Sequence, residues 1–489
     1  MKHSVLGFVT LACVTSLSAQ SQTGRGARPT EPPHKRATEV GWRLAAGEQS
    51  YSSIDGDRLK KYVEQLTAMA RRYRDNGHPQ FWGRIIGTEA DHENARWLMD
   101  RLKAIGPADV HEQEFDLPPQ WMPKSWSVTL TASGKTIGVD TAQPTYQGVA
   151  TPAGGLDVDA VWVGFGSDAD LSMAPDVRGK AAFFYSTDIA SRHIGVMDGA
   201  IKRLSDRGAA AIFVVQGIPG NLRTQFYPVN SPVPTFSVGQ KDGFAVRDVI
   251  GQSNGAARAA IRFDVDRVPN LTSGTVWATL PGATDETAFV VAHRDGWFEG
   301  ANDNASGVAT LLGIAEYFAK MPKDARRRTI VFLGTTGHHN STAESGAWLA
   351  QHPETFAKTA VLLNCEHTGA AATSHTATRL ANDAAVSTWF AGGDRLADIA
   401  AKALDSFGVP TYPESAAAPA GEIGRYFHLA PSIQVMTAAG GGFVWHSDGE
   451  TAETISATGI AAVTRAYAKI VADTMAVPLA ELRTRQQSQ

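Results

Sequence analysis

Histidine and carboxylate side chains recur in five short segments, and each segment lies near the end of a predicted strand. Imidazole nitrogens and carboxylate oxygens bind divalent metal ions such as zinc where cysteine is absent. Gathered at one edge of a sheet, these residues suit one or two such ions. The segments contain His293-Arg294-Asp295, Asp303, His338-His339, Cys365-Glu366-His367 and His446.

Each segment also has a simpler interpretation that needs no metal. Taken alone, His293 is equally consistent with a histidine that is hydrogen-bonded in the core. Asp303 alone is consistent with a helix N-cap, and His338-His339 alone is consistent with an exposed polar loop. Two features favour the metal site. Period-two geometry places Asp295 on the same face as His293, and the small residues 305–307 let the start of a helix approach a neighbour closely.

Alternating strands and helices must position these side chains. The pattern predicts an α/β fold with a mixed, mostly parallel sheet and helices on both faces. Ligands bind beyond the carboxyl ends of such strands, which is where the polar segments fall. Helices are predicted over 57–75, 92–105, 305–319, 343–350, 394–407 and 454–471, and strands over 288–292, 329–333, 360–363 and 433–436.

Composition excludes several classes of protein. A length of 489 residues predicts two or three domains. With 45 Lys and Arg against 49 Asp and Glu, the net charge of -4 leaves no basic excess for binding nucleic acid. The two cysteines, Cys13 and Cys365, exclude a disulfide scaffold and a cysteine-rich zinc module.

The first 19 residues are typical of a secretory signal peptide. Lys2 precedes a short apolar run, Val5–Val14, and small residues follow it. The alternative is a buried N-terminal helix. Residues 20–50 lack apolar periodicity and are predicted to be a flexible lead-in. The signal peptide predicts a secreted or periplasmic protein. No other apolar run reaches about 18 residues, so we expect no stable membrane span.

The segments His293-Arg294-Asp295 and Gly300–Gly307 (GANDNASG) resemble the metal-site motifs of the M28 zinc peptidases. That family includes bacterial aminopeptidases, glutamate carboxypeptidase II and the non-catalytic transferrin receptor. The resemblance implies a zinc-aminopeptidase-like catalytic domain over residues 51–119 and 278–489. The β-rich middle, residues 120–277, resembles an inserted protease-associated domain.

The resemblance assigns a role to each matching residue. His293 is expected to bind one zinc ion, Asp303 to bridge two, and His446 to bind the other. Glu366 stands where the family usually has an aspartate ligand. Asp295 is expected to orient His293. One or two zinc ions per chain are therefore expected.

The chain departs from the family at His338-His339, where the family has Glu-Glu. The first of those glutamates is the general base and the second is a zinc ligand. Imidazole also binds zinc, so His339 is expected to be a ligand. His338 is expected to be the base, since the ordinary pKa of histidine, near 6.5, suits proton transfer near neutral pH.

Three functions are compatible with this departure. The first is a hydrolase in which metal-activated water attacks a peptide or related amide bond. The second is a metal-dependent enzyme with altered chemistry or substrate. The third is an inactive binding protein. Because His and Glu at the changed positions are still able to bind metal, the sequence favours the hydrolase interpretations.

Substrate and partners are indicated only by the resemblance. Arg425 and Tyr426 lie in the region that lines the specificity pocket of relatives, and Arg425 is able to hold a carboxylate; a surface arginine is the alternative. We expect a peptide or small amide substrate.

Protease-associated domains also act in dimer contacts, so the resemblance allows a homodimer. Four aromatic residues flank the predicted ligands: Trp297, Phe298, Phe443 and Trp445. They are expected either to form the walls of an apolar pocket or to belong to the hydrophobic core.

Overall fold

The computed structural model describes residues 44, 46–186, 194–340, 348, 351–373, 380–384, 387–414, 419–437 and 444–483. The predicted signal peptide, residues 20–43 of the lead-in, most of the helix predicted over 343–350 and Phe443 lie outside these residues.

Two eight-stranded sheets dominate the described part of the chain. In chain order the first ten strands are β1 Gly83–Arg84, β2 Ala108–Asp116, β3 Gln120–Ala132, β4 Lys135–Gly138, β5 Gln143–Pro144, β6 Leu156–Trp162, β7 Ala181–Ser186, β8 Ala211–Gln216, β9 Thr235–Val238 and β10 Arg258–Val268. The next ten are β11 Thr272–Leu280, β12 Thr287–His293, β13 Gly296–Trp297, β14 Thr329–Thr335, β15 Thr359–Asn364, β16 Ala371–Thr373, β17 Leu380–Ala384, β18 Ser387–Ala391, β19 Thr411–Pro413 and β20 Ser432–Thr437.

The α-helices of the described residues cover the sheets and vary from one turn to five. They are α1 Gly56–Asp75, α2 Glu89–Ile105, α3 Asp168–Met173, α4 Ile194–Asp206, α5 Gln240–Gln252, α6 Gly307–Ala319, α7 Pro353–Ala357, α8 Asp394–Ser406, α9 Ala457–Thr474 and α10 Leu479–Leu482.

The first sheet has the order β19-β18-β20-β15-β12-β14-β11-β2. Its centre is parallel, since β12 pairs in parallel with both β14 and β15, and β15 pairs in parallel with β20. Antiparallel pairs flank this centre, between β14 and β11 and between β20 and β18. The predicted mixed α/β fold is therefore confirmed.

Helices lie on both faces of this sheet because its strands are apolar on both sides. Val290 and Ala292 pack in the large core with α1, α2, α6, α8 and α9. Phe289 and Val291 point to the other face and pack with Phe356 of α7. Each large apolar side chain that is fully buried stabilises the fold by about 1.5–3 kcal/mol.

Helix α6 begins two residues later than the sequence predicts. Residues Ala301–Ser306 instead form a wide turn in which Asp303 and Asn304 have non-helical backbone angles. The Asn304 side chain accepts a hydrogen bond from the Gly307 backbone N–H at 3.1 Å and so replaces an N-cap. The turn places Asp303 in front of the helix.

The second sheet has the order β4-β3-β10-β6-β7-β8-β9-β5 and is inserted between β2 and β11, which are neighbours in the first sheet. Helices α3, α4 and α5 lie within the insertion, along with the eight strands of its sheet. The predicted boundary at 277/278 falls inside β11 of the first sheet. The chain passes between the sheets at residues 269–271. Its assignment as a protease-associated domain stays a prediction.

Among the described residues, no helix has the length and apolar character that crossing a bilayer requires.

Candidate metal centre

The strand ends bring the predicted ligands to one edge of the first sheet. Strand β12 ends at His293, β14 is followed by His338 and His339, and β15 is followed by Glu366. Because these strands are parallel, their carboxyl ends meet at the same edge. The turn before α6 adds Asp303 to this group.

Asp303 lies at the centre of the site, and its two oxygens face different imidazoles. Its Oδ1 lies 3.2 Å from His293 Nε2. Its Oδ2 lies 3.2 Å from His339 Nε2 and 2.9 Å from His446 Nε2. All four side chains are at most 2% exposed. The peptide bond between Asp303 and Asn304 is cis.

Glu366 joins the Oδ1 side of the site. Its Oε1 lies 4.0 Å from His293 Nε2 and 3.7 Å from His338 Nε2. Its Oε2 accepts hydrogen bonds from Asn364 Nδ2 at 2.8 Å and from the Glu422 backbone N–H at 2.7 Å. The carboxylate is thus fixed through one oxygen and presents the other to the imidazoles.

Asp295 lies behind the imidazoles and supports more of them than the sequence indicates. Its Oδ1 lies 3.4 Å from His293 Nδ1, the contact expected of an orienting group. Its Oδ2 lies 3.1 Å from His339 Nδ1 and accepts the His339 backbone N–H at 3.1 Å. Its Oδ1 also accepts the His338 backbone N–H at 3.3 Å. One carboxylate therefore links two strand ends.

These residues fit a divalent metal ion. His293 Nε2 and Asp303 Oδ1 face each other, yet within the described part of the chain neither atom has a hydrogen-bond partner. Two groups of three residues have ligand atoms within 4.8 Å of one another. The first group is His293, Asp303 and His339, and the second is His293, His338 and Glu366. Buried nitrogen and oxygen atoms in this arrangement are the ligand types of zinc.

The electrostatics of the site also favour a cation. Burial alone would raise the pKa of Asp303, but the neighbouring imidazoles, His339 first, outweigh burial and hold the pKa well below its usual range. Burial alone would lower the pKa of His293, but contacts with Asp295 and Asp303 raise it well above the usual value. Burial, with the charges of His293 and His339, lowers the pKa of His338 well below the usual value. Asp303 therefore stays ionised, and His338 stays neutral near pH 7.

Glu450 is a buried residue of the site that the sequence analysis missed. Its Oε1 accepts the backbone N–H groups of Asn302 at 2.9 Å and Asp303 at 2.7 Å, and its Oε2 accepts that of His446 at 3.0 Å. Burial and the charge of Asp303 raise the pKa of Glu450 to about 7. The residue holds two ligand-bearing segments together. Its position four residues after His446 was the one available signal.

A buried ion pair anchors the end of β12. The Arg294 guanidinium pairs with Asp91 of α2 and donates to the Gly274 carbonyl at 2.6 Å. Thr336, which follows β14, donates to the same Asp91 carboxylate at 3.2 Å. This network fixes both strand ends to α2.

The loop between β8 and β9 of the insertion contributes Tyr227, whose ring lies beside His446 and Trp297. Its centroid is 5.1 Å from that of His446 and 5.3 Å from that of Trp297. Nearby, the Gln225 backbone N–H donates to the His446 carbonyl at 2.9 Å, and Thr224 forms a β-bridge with Ser447. This loop of the insertion is therefore in contact with the loop that carries His446.

The two predicted substrate-binding residues have different surroundings. Arg425 is half-buried, and its charge lowers the pKa of Glu422, which burial raises above its usual value. Tyr426 is 1% exposed and packs in the apolar cluster of Phe289. Its hydroxyl donates to Glu422 Oε1 at 3.0 Å, so it faces Glu422 rather than open space.

Three of the flanking aromatic residues are buried, namely Trp297, Phe298 and Trp445. Trp445 also enters the site directly, because its Nε1 donates to Asp303 Oδ2 at 2.8 Å.

Comparison with known proteins supports a metallopeptidase-like hydrolase. Residues 275–471 match the sequence model of the family described as Peptidase family M28. This part of the chain, which contains the candidate metal centre, is therefore similar to that family.

The curated and solved relatives agree with this class. The probable glutamate carboxypeptidase VP8 of Zea mays is 24% identical over 273 residues, which are 45% of this chain and 37% of that protein. The chain therefore spans little more than a third of that relative's length.

Two solved structures share the fold over most of the chain. The zinc aminopeptidase BSAP of Bacillus subtilis is 16% identical, with a TM-score of 0.60 over 86% of this chain and 95% of that one. The Peptidase M28 precursor of Shewanella amazonensis is 17% identical, with a TM-score of 0.67 over 88% of this chain and 100% of that one.

Proposed function

We propose that this chain is a zinc-dependent hydrolase of peptide or related amide bonds. The observation that carries the proposal is the position of Asp303, whose two oxygens face imidazoles from different strand ends. A carboxylate in that position is able to bridge two ions. The match to the M28 family supports the same conclusion.

The ligands divide between the two oxygens of Asp303. His293 and Glu366 would complete the Oδ1 side, and His339 and His446 the Oδ2 side. One or two ions per chain follow from this division. Bound zinc lowers the pKa of water and polarises a substrate carbonyl oxygen.

His338 is the proposed general base. Its side chain is 13% exposed, whereas that of His339 is 1% exposed, so His338 is the more accessible of the pair. Its ring stacks on that of His293 with centroids 4.2 Å apart, and its backbone is held by Asp295. A neutral imidazole in this position accepts the proton of the attacking water and returns it to the leaving amine.

The proposed substrate is a peptide or small amide. Arg425 would hold a substrate carboxylate through its guanidinium. Tyr426 would contribute to substrate binding indirectly, through its hydrogen bond to Glu422. The signal-like segment supports export of the protein, which N-terminal sequencing of the processed chain tests. The family resemblance supports a homodimer, which the mass of the protein in solution tests.

A second candidate function follows from the position of His338. Its Nε2 belongs to a group of ligand atoms with His293 and Glu366. If His338 binds metal there, the site has no general base at this position. The chain would then be a metal-dependent enzyme of altered chemistry or an inactive binding protein.

Two variants distinguish these functions. We expect His338→Ala to lower the rate of hydrolysis by about 10²–10⁴-fold, the usual contribution of a general base, and to leave zinc content unchanged. We expect His339→Ala to lower zinc content as well, because that imidazole contacts Asp303. Zinc analysis and hydrolysis of aminoacyl and dipeptide substrates measure both effects. Loss of zinc from His338→Ala would instead support the second candidate.

A further inference from the structure

Four ring nitrogens converge on a single oxygen of Asp303. Asp303 Oδ2 lies 3.2 Å from Nε2 of both His339 and His367. It also lies 2.9 Å from His446 Nε2 and accepts the Trp445 Nε1–H at 2.8 Å. One carboxylate oxygen has only two lone pairs. Four hydrogen bonds to it cannot form together, so some of these ring nitrogens need another partner. His339 Nε2 and His446 Nε2 lie 3.1 Å apart, within hydrogen-bond reach of each other.

His367 is the member of this set that no role yet explains. It is 3% exposed, and within the described residues neither of its ring nitrogens has a hydrogen-bond partner. Leaving a buried polar group unpaired costs about 1–3 kcal/mol. A metal ion would satisfy the nitrogen that faces Asp303.

The backbone at His367 is arranged to aim this imidazole. Its φ of +50° lies in the left-handed region, which few residues other than glycine adopt. The Asn304 side chain accepts its N–H at 3.3 Å, and Thr437 donates to its carbonyl from N–H at 3.1 Å and from Oγ1 at 2.6 Å. His446 has a similar φ of +57°. The surrounding hydrogen bonds therefore maintain an uncommon backbone conformation at two of the converging histidines.

We propose that His367 is a third imidazole ligand on the Oδ2 side of Asp303, where it joins His339 and His446 in binding a divalent transition-metal ion such as zinc. This inference rests on the metal dependence proposed above.

The added ligand makes the two sides of the site different. Three imidazoles and one carboxylate form a complete four-coordinate set, the closed arrangement of structural zinc sites. With His338 as the general base, the Oδ1 side offers His293, Glu366 and Asp303, and three protein ligands leave a position open for water or substrate. The ion on the Oδ2 side is therefore held more tightly, and the chemistry takes place on the Oδ1 side.

The test compares metal binding by the full-length wild type, His367→Asn and His111→Asn. Asparagine tolerates the left-handed backbone and removes the imidazole, and His111 is exposed on β2 and serves as the control. Zinc affinity of each metal-free protein is measured by competition with a chromophoric chelator. Far-UV circular dichroism of the metal-free proteins checks that the fold is kept.

We expect His367→Asn to lower the affinity of the tighter zinc site by about tenfold or more, since even groups behind the ligands contribute 10–100-fold to metal affinity. We expect His111→Asn to bind zinc as tightly as the wild type. X-ray absorption of the wild type with one equivalent of zinc, which needs no variant, should count three imidazoles. Unchanged affinity in His367→Asn, or two imidazoles at the first zinc, would overturn the inference. Loss of peptide hydrolysis is a separate result that concerns the proposed function alone.

Discussion

At the scale of single residues, the site depends on how charges and imidazoles are arranged around Asp303. The family resemblance aligns His338-His339 with two glutamates, which implies a site with less negative charge than the family's. His339 nevertheless keeps a ligand atom 3.2 Å from Asp303 Oδ2. Less negative charge on the ligands leaves a bound ion more positive and a stronger Lewis acid.

The first prediction concerns Glu450, which accepts the backbone N–H groups of Asn302, Asp303 and His446. We expect Glu450→Gln to lower zinc affinity by about tenfold, the lower end of the effect of groups behind metal ligands. An amide presents an N–H₂ group to these donors, which leaves one of them unpaired. Glu453→Gln, at an exposed position nearby, is the matched control. Equal zinc affinities in the two variants would contradict the role assigned to Glu450.

Much of the site was predictable from single residues, and the remainder depended on backbone geometry. Residue type and position predicted that His293, Asp303, Glu366 and His446 gather in one place, and the structure brings them together. Their roles as ligands, which the family resemblance supplied, stay a prediction. Glu450 binds backbone amides, and its position four residues after His446 was the one sign of that in the sequence. The contact of His367 with Asp303 depends on its left-handed φ, which a strand-end pattern does not contain.

At the scale of elements, the close approach between α6 and the end of β15 positions Asp303 beside Glu366. A Cβ atom at Gly307 would lie 2.0 Å from the Cys365 carbonyl oxygen, which is a backbone atom. The small residues at the start of the helix are therefore necessary at this point, as the sequence pattern indicated. The wide turn before α6 was not predictable, because its Asn304 cap replaces the usual N-cap position.

The second prediction tests this approach. We expect Gly307→Ala to lower the free energy of unfolding by about 1–3 kcal/mol, because overpacking forces the backbone to shift, and to weaken zinc binding at Glu366. Gly251→Ala is the control: nothing lies within 4 Å of a Cβ atom there, and alanine favours the helix α5. Urea unfolding of the metal-free proteins measures the difference. A Gly307→Ala protein as stable as the control would show that the contact does not constrain the site.

At the scale of the whole molecule, a loop of the insertion reaches the metal centre at the edge of the first sheet. Residues 224–227 contact the loop of His446 and Ser447, although more than 200 positions separate them in the chain. No periodicity or spacing in the sequence links segments so far apart. The sequence could predict that an insertion exists, but not which of its side chains reaches the site.

The third prediction concerns Tyr227, whose ring packs against Trp297 and His446. We expect Tyr227→Ala to lower the free energy of unfolding by about 1–3 kcal/mol, less than the loss of a fully buried aromatic side chain, and to weaken zinc binding. Tyr227→Phe keeps the ring and should resemble the wild type. Tyr412→Ala, at a residue that is 49% exposed, is the control. If Tyr227→Ala matches Tyr412→Ala in thermal unfolding and zinc affinity, the two sheets do not support each other through this ring.

The most direct test of the central claim is zinc analysis of the purified full-length chain, combined with hydrolysis of aminoacyl and dipeptide substrates before and after chelation. The account predicts one or two zinc ions per chain at neutral pH, hydrolysis that stops when a chelator removes them, and recovery when zinc is returned. A chain that holds no metal at neutral pH, or that hydrolyses peptides equally well after chelation, would contradict it.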